Sequence, residues 1–145
     1  MLSRKEGGLE RQDMMLTFGE IAVSAAGTKT FGTTAAATDG VIVATEKTSL
    51  EGMAVVINVK EAAAGGTQKF ELLAKSGDSW VTIAATEALA TTALAKNTAV
   101  MLPIPRGHAG NNGVDADIQY KLQVVSGTGT TAGTFYAYVD THMGV

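Results

Sequence analysis

Apolar side chains recur along this chain mostly at every second position, and in short bursts. The clearest burst is Ile118, Tyr120, Leu122 and Val124, with Gln119, Lys121 and Gln123 between them. That is the pattern of a strand with one face in a core and the other toward water. Met53, Val55, Ile57 and Val59 repeat it with Ala54, Val56 and Asn58 between, an apolar enough mixture to predict a central strand. Phe70, Leu72 and Ala74 alternate with Lys69, Glu71, Leu73 and Lys75, and Gly65-Gly66 ahead of them predicts a turn. Ser76-Gly77-Asp78-Ser79 is a second turn, and Trp80-Val81-Thr82-Ile83 follows it, so residues 69–84 read as one hairpin. Val100, Leu102 and Ile104 form a further alternating run. Pro103 and Pro105 put that run at a sheet edge, because proline cannot donate to a hydrogen-bond ladder. Phe135, Ala137 and Val139 alternate with Thr134, Tyr136, Tyr138 and Asp140 near the end of the chain.

Weaker segments fill the intervals. Met14, Met15, Leu16 and Phe18, then Ile21 and Val23, begin the apolar patterning, and Ala25 to Gly40 reads as a loop or a weak edge segment. Val41-Ile42-Val43 is a short β-branched burst, and residues 45–49 a polar connection. Thr86 to Leu94 is the one candidate for a helical turn, and its threonines disfavour even that. The expected fold class is therefore all-β, an antiparallel β-sandwich of jelly-roll type with about eight strands and Gly/Thr-rich loops. Its expected inward residues are Val55, Ile57, Phe70, Leu72, Ile118, Tyr120, Leu122, Val124, Phe135 and Val139. Residues 1–12 carry almost no apolar side chains and are expected to form a flexible N-terminal arm, leaving 13–145 as a single domain.

Composition narrows the function classes. The 145 residues suffice for one domain and a real core. The chain contains no cysteine, which removes disulfides, thiolate metal sites and a cysteine nucleophile. A net charge of −3, with 11 scattered basic residues, argues against a nucleic-acid partner. No apolar run approaches the roughly 20 residues of a membrane span, so no membrane partner is expected. Arg4 and Lys5 open the chain, but Glu6, Glu10, Arg11 and Asp13 interrupt the apolar stretch that a secretory signal needs, and export by that route is not expected.

The chemistry-bearing residues are few. His108 lies in Arg106-Gly107-His108-Ala109-Gly110-Asn111-Asn112-Gly113, and reads either as a base or ligand or as an exposed loop histidine; His142 reads as solvated. Asn111, Asn112, Asp115 and Asp117 offer calcium-type oxygen ligands, but their spacing departs from the twelve-residue calcium loop, and the alternative is that both aspartates solvate the start of a strand. Gly127-Thr128-Gly129 and Gly133 suggest a turn, since no lysine follows and no helix opens there. The expectation is accordingly no enzyme activity, no cofactor, no metal and no catalytic residues. Tyr136 and Tyr138 fall on the face opposite Phe135 and Val139, so they are either a partner surface or covered on the second face of a buried strand. Trp80 is a core or strand-end residue, or a stacking platform for carbohydrate.

The order of these features resembles the small jelly-roll capsid cement (decoration) proteins of tailed bacteriophages. The resemblance is carried by Asp13-Met14-Met15-Leu16-Thr17-Phe18, by Met53 to Val59, by Phe70-Glu71-Leu72-Leu73 and by Leu102-Pro103-Ile104-Pro105-Arg106-Gly107. It continues in Gln119-Tyr120-Lys121-Leu122-Gln123-Val124 and in residues 131–140, so it spans about 13–140 without an invariant chemical motif. It departs from this chain in the charged leader and in the Gly/Asn-rich stretch at 107–113. The resemblance implies a structural virion protein, made in the host cytoplasm, that binds the outer capsid surface as a homotrimer and stabilises contacts between major capsid proteins. The candidate interface residues are Trp80, Tyr136 and Tyr138, together with Arg4, Lys5 and Arg11 of the leader, which either orders on the capsid surface or is a passive tail. The competing expectation is a carbohydrate- or host-surface-binding β-sandwich module of a virion that uses the same three aromatics.

Overall fold

The fold was analysed in a computed structural model, which describes residues 16–32, 40–44, 50–75, 78–107 and 118–140. Ten strands run through these residues: β1 (Thr17–Ala22), β2 (Gly27–Thr30), β3 (Val41–Ala44), β4 (Ala54–Ala64), β5 (Thr67–Lys75), β6 (Val81–Ala85), β7 (Leu89–Ala90), β8 (Ala99–Pro103), β9 (Ile118–Ser126) and β10 (Ala132–Asp140). They form two antiparallel sheets. A four-stranded sheet has the order β1-β10-β4-β8, and a six-stranded sheet has the order β2-β9-β5-β6, with β3 also on β9 and β7 also on β5. The all-β sandwich expected from period-two alternation is the observed architecture.

The core lies between the two sheets. Phe135, Ala137, Val139, Val55, Ile57, Val59 and Leu102 enter it from the four-stranded sheet, and Phe70, Leu72, Ile118, Tyr120, Leu122 and Val124 from the other. All ten residues expected to point inward are at most 2 % exposed. Phe70 meets Phe135 edge-on across the sandwich, ring centroids 5.2 Å apart and planes at 84°, an arrangement that the ring quadrupoles favour.

Edge and centre follow the sequence chemistry. β8 carries Pro103 and pairs only with β4, whereas β4 is hydrogen-bonded on both sides, Ile57 facing Ala137 and Val100. The weak stretch after Ala25 contains β2, and β2 and β3 divide one edge of β9 between them, Thr28 opposite Val125 and Val41 opposite Lys121. Thr86 to Leu94 is not a helix: β7 takes two of its residues and a single 3-10 turn, Thr91–Ala93, takes three more. Threonine's stiff side chain and the pairing of Leu89 with Gln68 favour extended chain there. β4 extends to Ala64, five residues past the expected end, because β10 continues to pair with it through two register shifts as far as Ala132.

Two glycines fix how the sheets are joined. Gly65, at φ +69°, turns β4 into β5 and so from one sheet to the other; a Cβ on it would collide with the Gly129 carbonyl of the β9-to-β10 connection. Gly40, at φ +92°, lies just before β3, where a Cβ would collide with the Phe31 carbonyl. The Gly65 corner is also tied by side chains. Gln68, fully buried, donates to the Thr130 hydroxyl at 3.0 Å and accepts from the Ser126 hydroxyl at 2.6 Å. This satisfies polar groups that would otherwise be costly inside the sandwich.

Candidate functional site: the two outer faces

Because alternate residues of each strand point away from the core, each sheet presents a second face. On the four-stranded sheet that face is built around β10. Tyr136 lies between Glu20 of β1 and Asn58 of β4, and Tyr138 between Thr17 and Val56. Both tyrosines are half-buried, their rings 6.3 Å apart at 37°. The Thr17 hydroxyl donates to the Tyr136 hydroxyl at 3.0 Å. Val56, only 5 % exposed, sits between Tyr138 and Met101, and Met101 of the edge strand is itself 42 % exposed. The result is an apolar strip of Tyr136, Tyr138, Val56 and Met101. Beside it Lys60 and Glu20 form an ion pair at 2.6 Å, and Glu20, by hydrogen bond first and by charge second, holds the Lys60 ammonium above its ordinary pKa.

The outer face of the six-stranded sheet has a different character. Rows of paired residues cross it: Val41, Lys121 and Leu73; Val43, Gln119 and Lys75; Gln123 and Glu71. Trp80, half-buried, precedes β6 and lies beside these rows, with the Lys121 ammonium 4.5 Å from its ring centroid and the Lys75 ammonium 5.7 Å away. Glu71 is engaged on this face, accepting from Gln123 at 2.7 Å and lying 3.5 Å from Lys69. Sequence alternation placed Lys121, Gln123 and Leu73 on a wet face. They are half-buried or, for Leu73, buried at 9 % exposure, because β9 and β5 are flanked on both sides and long side chains lie along the sheet.

Trp80 is therefore a strand-end residue rather than a core one, half-buried just before β6 with two ammonium groups over its ring. Their cationic contact with Trp80 could not be read from the sequence, since it needs the β5–β9 and β5–β6 registers.

Trp80 and the two tyrosines lie on different sheets, so the structure does not gather the three aromatics into one site. Arg4, Lys5, Arg11, His108, His142, Asn111, Asn112, Asp115 and Asp117 lie outside the described residues. So do the polar connection at 45–49 and most of the Gly/Asn-rich stretch after Gly107. Gly127-Thr128-Gly129 belongs to the connection between β9 and β10, where the Thr130 hydroxyl donates to the Gly127 carbonyl at 2.8 Å. Among the described residues no three His, Asp or Glu side chains converge as metal ligands would. No protein-family model matches this chain, and no curated protein matches it.

Proposed function

We propose that this protein is a capsid cement (decoration) protein of a tailed bacteriophage. In this reading it is made in the host cytoplasm, forms a homotrimer, and binds the outside of the shell to tie neighbouring major capsid proteins together. The observation that carries the reading is the connectivity. From β1 onward the chain passes to the opposite sheet at each major step: β1, then β2 and β3, then β4, then β5 to β7, then β8, β9 and β10. The first and last strands are neighbours, as are β4 and β8. Two Greek keys wound together into a jelly roll produce this alternation, and that is the fold the resembling family uses. The strip of Tyr136, Tyr138, Val56 and Met101 supports the homotrimer, because a stable interface between copies needs an apolar centre with a polar rim.

The test is to mix the purified full-length chain with cement-free capsids of a tailed phage that carries its gene, and to measure its solution mass by light scattering. Saturable binding by a species of three times the chain mass is expected, and binding weakens when residues 1–12 are deleted. A chain that ignores such capsids would discard the reading.

A further inference from the structure

The face around Trp80 has features that the capsid reading does not require. Lys75 and Lys121 both hold their ammonium groups over the indole, and neither has a carboxylate within ion-pair distance among the described residues. Among the described residues of the paired β3, β9 and β5 rows the one acid, Glu71, is already held by Gln123 and Lys69. So, among the described residues of these rows, a chain of net charge −3 presents a local excess of positive charge. A second observation concerns apolar surface. Val41, opposite Lys121, is 39 % exposed, and Val43, opposite Gln119, is 54 % exposed. Among the described residues these are two of the four large apolar side chains left in water, and both lie in the rows that carry Lys121 and Lys75.

We propose that the outer face formed by Val41, Val43, Lys75, Trp80 and Lys121 docks a carboxylate-bearing segment of a partner protein. Carboxylates of that segment pair with the two lysines, and an apolar side chain between them covers the valines. The charges explain the sign of the partner and the valines explain its class. A phosphate backbone would satisfy the lysines but leave Val41 and Val43 uncovered, whereas a peptide that alternates acidic and apolar residues satisfies both. The half-buried position of the lysines along the sheet adds to this, because ammonium groups held against a ring lose less freedom on pairing than freely swinging ones. This inference concerns the other sheet from the tyrosine strip and stands whether or not the partner is a capsid.

Trp80 is the only tryptophan in the chain, so its emission reports this face alone. The experiment titrates the full-length protein with a short synthetic peptide of alternating glutamate and leucine, with an all-glutamate peptide of the same charge, and with a single-stranded DNA oligonucleotide of the same charge. The expected result is a saturable change in emission with the glutamate–leucine peptide that is lost at high salt. The Lys75→Gln/Lys121→Gln variant, with its melting temperature preserved, binds that peptide about tenfold more weakly. Val41→Ser/Val43→Ser weakens binding of the glutamate–leucine peptide and leaves the all-glutamate peptide unchanged. No response, equal affinity in the lysine variant, indifference of the valine variant, or tighter binding of the oligonucleotide would each overturn the proposal.

Discussion

The Ser126 hydroxyl donates to the Gln68 side-chain carbonyl at 2.6 Å, in a place where Gln68 is fully buried and Ser126 is 5 % exposed. The two residues face each other on β5 and β9, and the other end of Gln68 reaches Thr130. An amide inside an apolar sandwich is tolerated because both of its ends are bonded, and the same bonds clamp the β9-to-β10 connection against the Gly65 corner.

Gln68→Leu should therefore destabilise the fold even though it adds apolar surface, since the Ser126 and Thr130 hydroxyls lose a buried partner. The expected loss is about 1–3 kcal/mol in urea denaturation. A change within about 0.5 kcal/mol would mean that water replaces the amide there.

Gly40→Ala should be far more damaging than Gly107→Ala. Both residues have positive φ, +92° and +83°, but only Gly40 has backbone in the way of a Cβ; around Gly107 there is nothing within 4 Å. The conformational penalty alone gives Gly107→Ala a cost of about 1 kcal/mol. The collision with the Phe31 carbonyl takes Gly40→Ala to roughly 3 kcal/mol or more. Thermal melting of the two variants side by side checks the ordering.

Tyr120 makes the fold sensitive to alkali. Burial raises its phenol pKa above the ordinary 10.0; the Leu50 amide, donating to the phenol oxygen at 3.3 Å, opposes this, and Glu51 adds to it. The folded state thus holds the proton more tightly than the unfolded chain, and stability is complete below about pH 10 and falls as pH rises from there through the folded pKa. Tyr120→Phe should flatten that decline while lowering stability at neutral pH through loss of the Leu50 bond. Urea midpoints between pH 8 and about pH 11.5 measure both effects.

If the tyrosine strip joins the copies of a trimer, Tyr138→Lys should give a monomer by light scattering with its β circular dichroism intact. Tyr138 is half-buried on an outer face, so the lysine stem can lie along the sheet and its charge reach water. A variant that keeps the native mass would place the interface elsewhere.

The alternation of Ile118, Tyr120, Leu122 and Val124 was enough to locate β9 and to choose its inner face, because a strand's side chains point alternately to opposite sides and only one register buries the apolar set. Pro103 was enough to place β8 at an edge, for want of an amide proton. These are local constraints, set within a few residues. The half-burial of Lys121, the burial of Leu73 and the full cover over Val56 are not of that kind. Each depends on which strand lies alongside: Val56 is covered because β10 and β8 flank β4, and Lys121 reaches Trp80 because β5 pairs with β9 on one side and with β6 on the other. The pairing of β1 with β10, from opposite ends of the chain, is likewise invisible in either strand alone. Many strands in this sequence offer an equally apolar face, so period-two alternation cannot say which of them will be neighbours. That choice is made collectively, when the sheet pairings and the shared core together offset the entropy of closing such long loops.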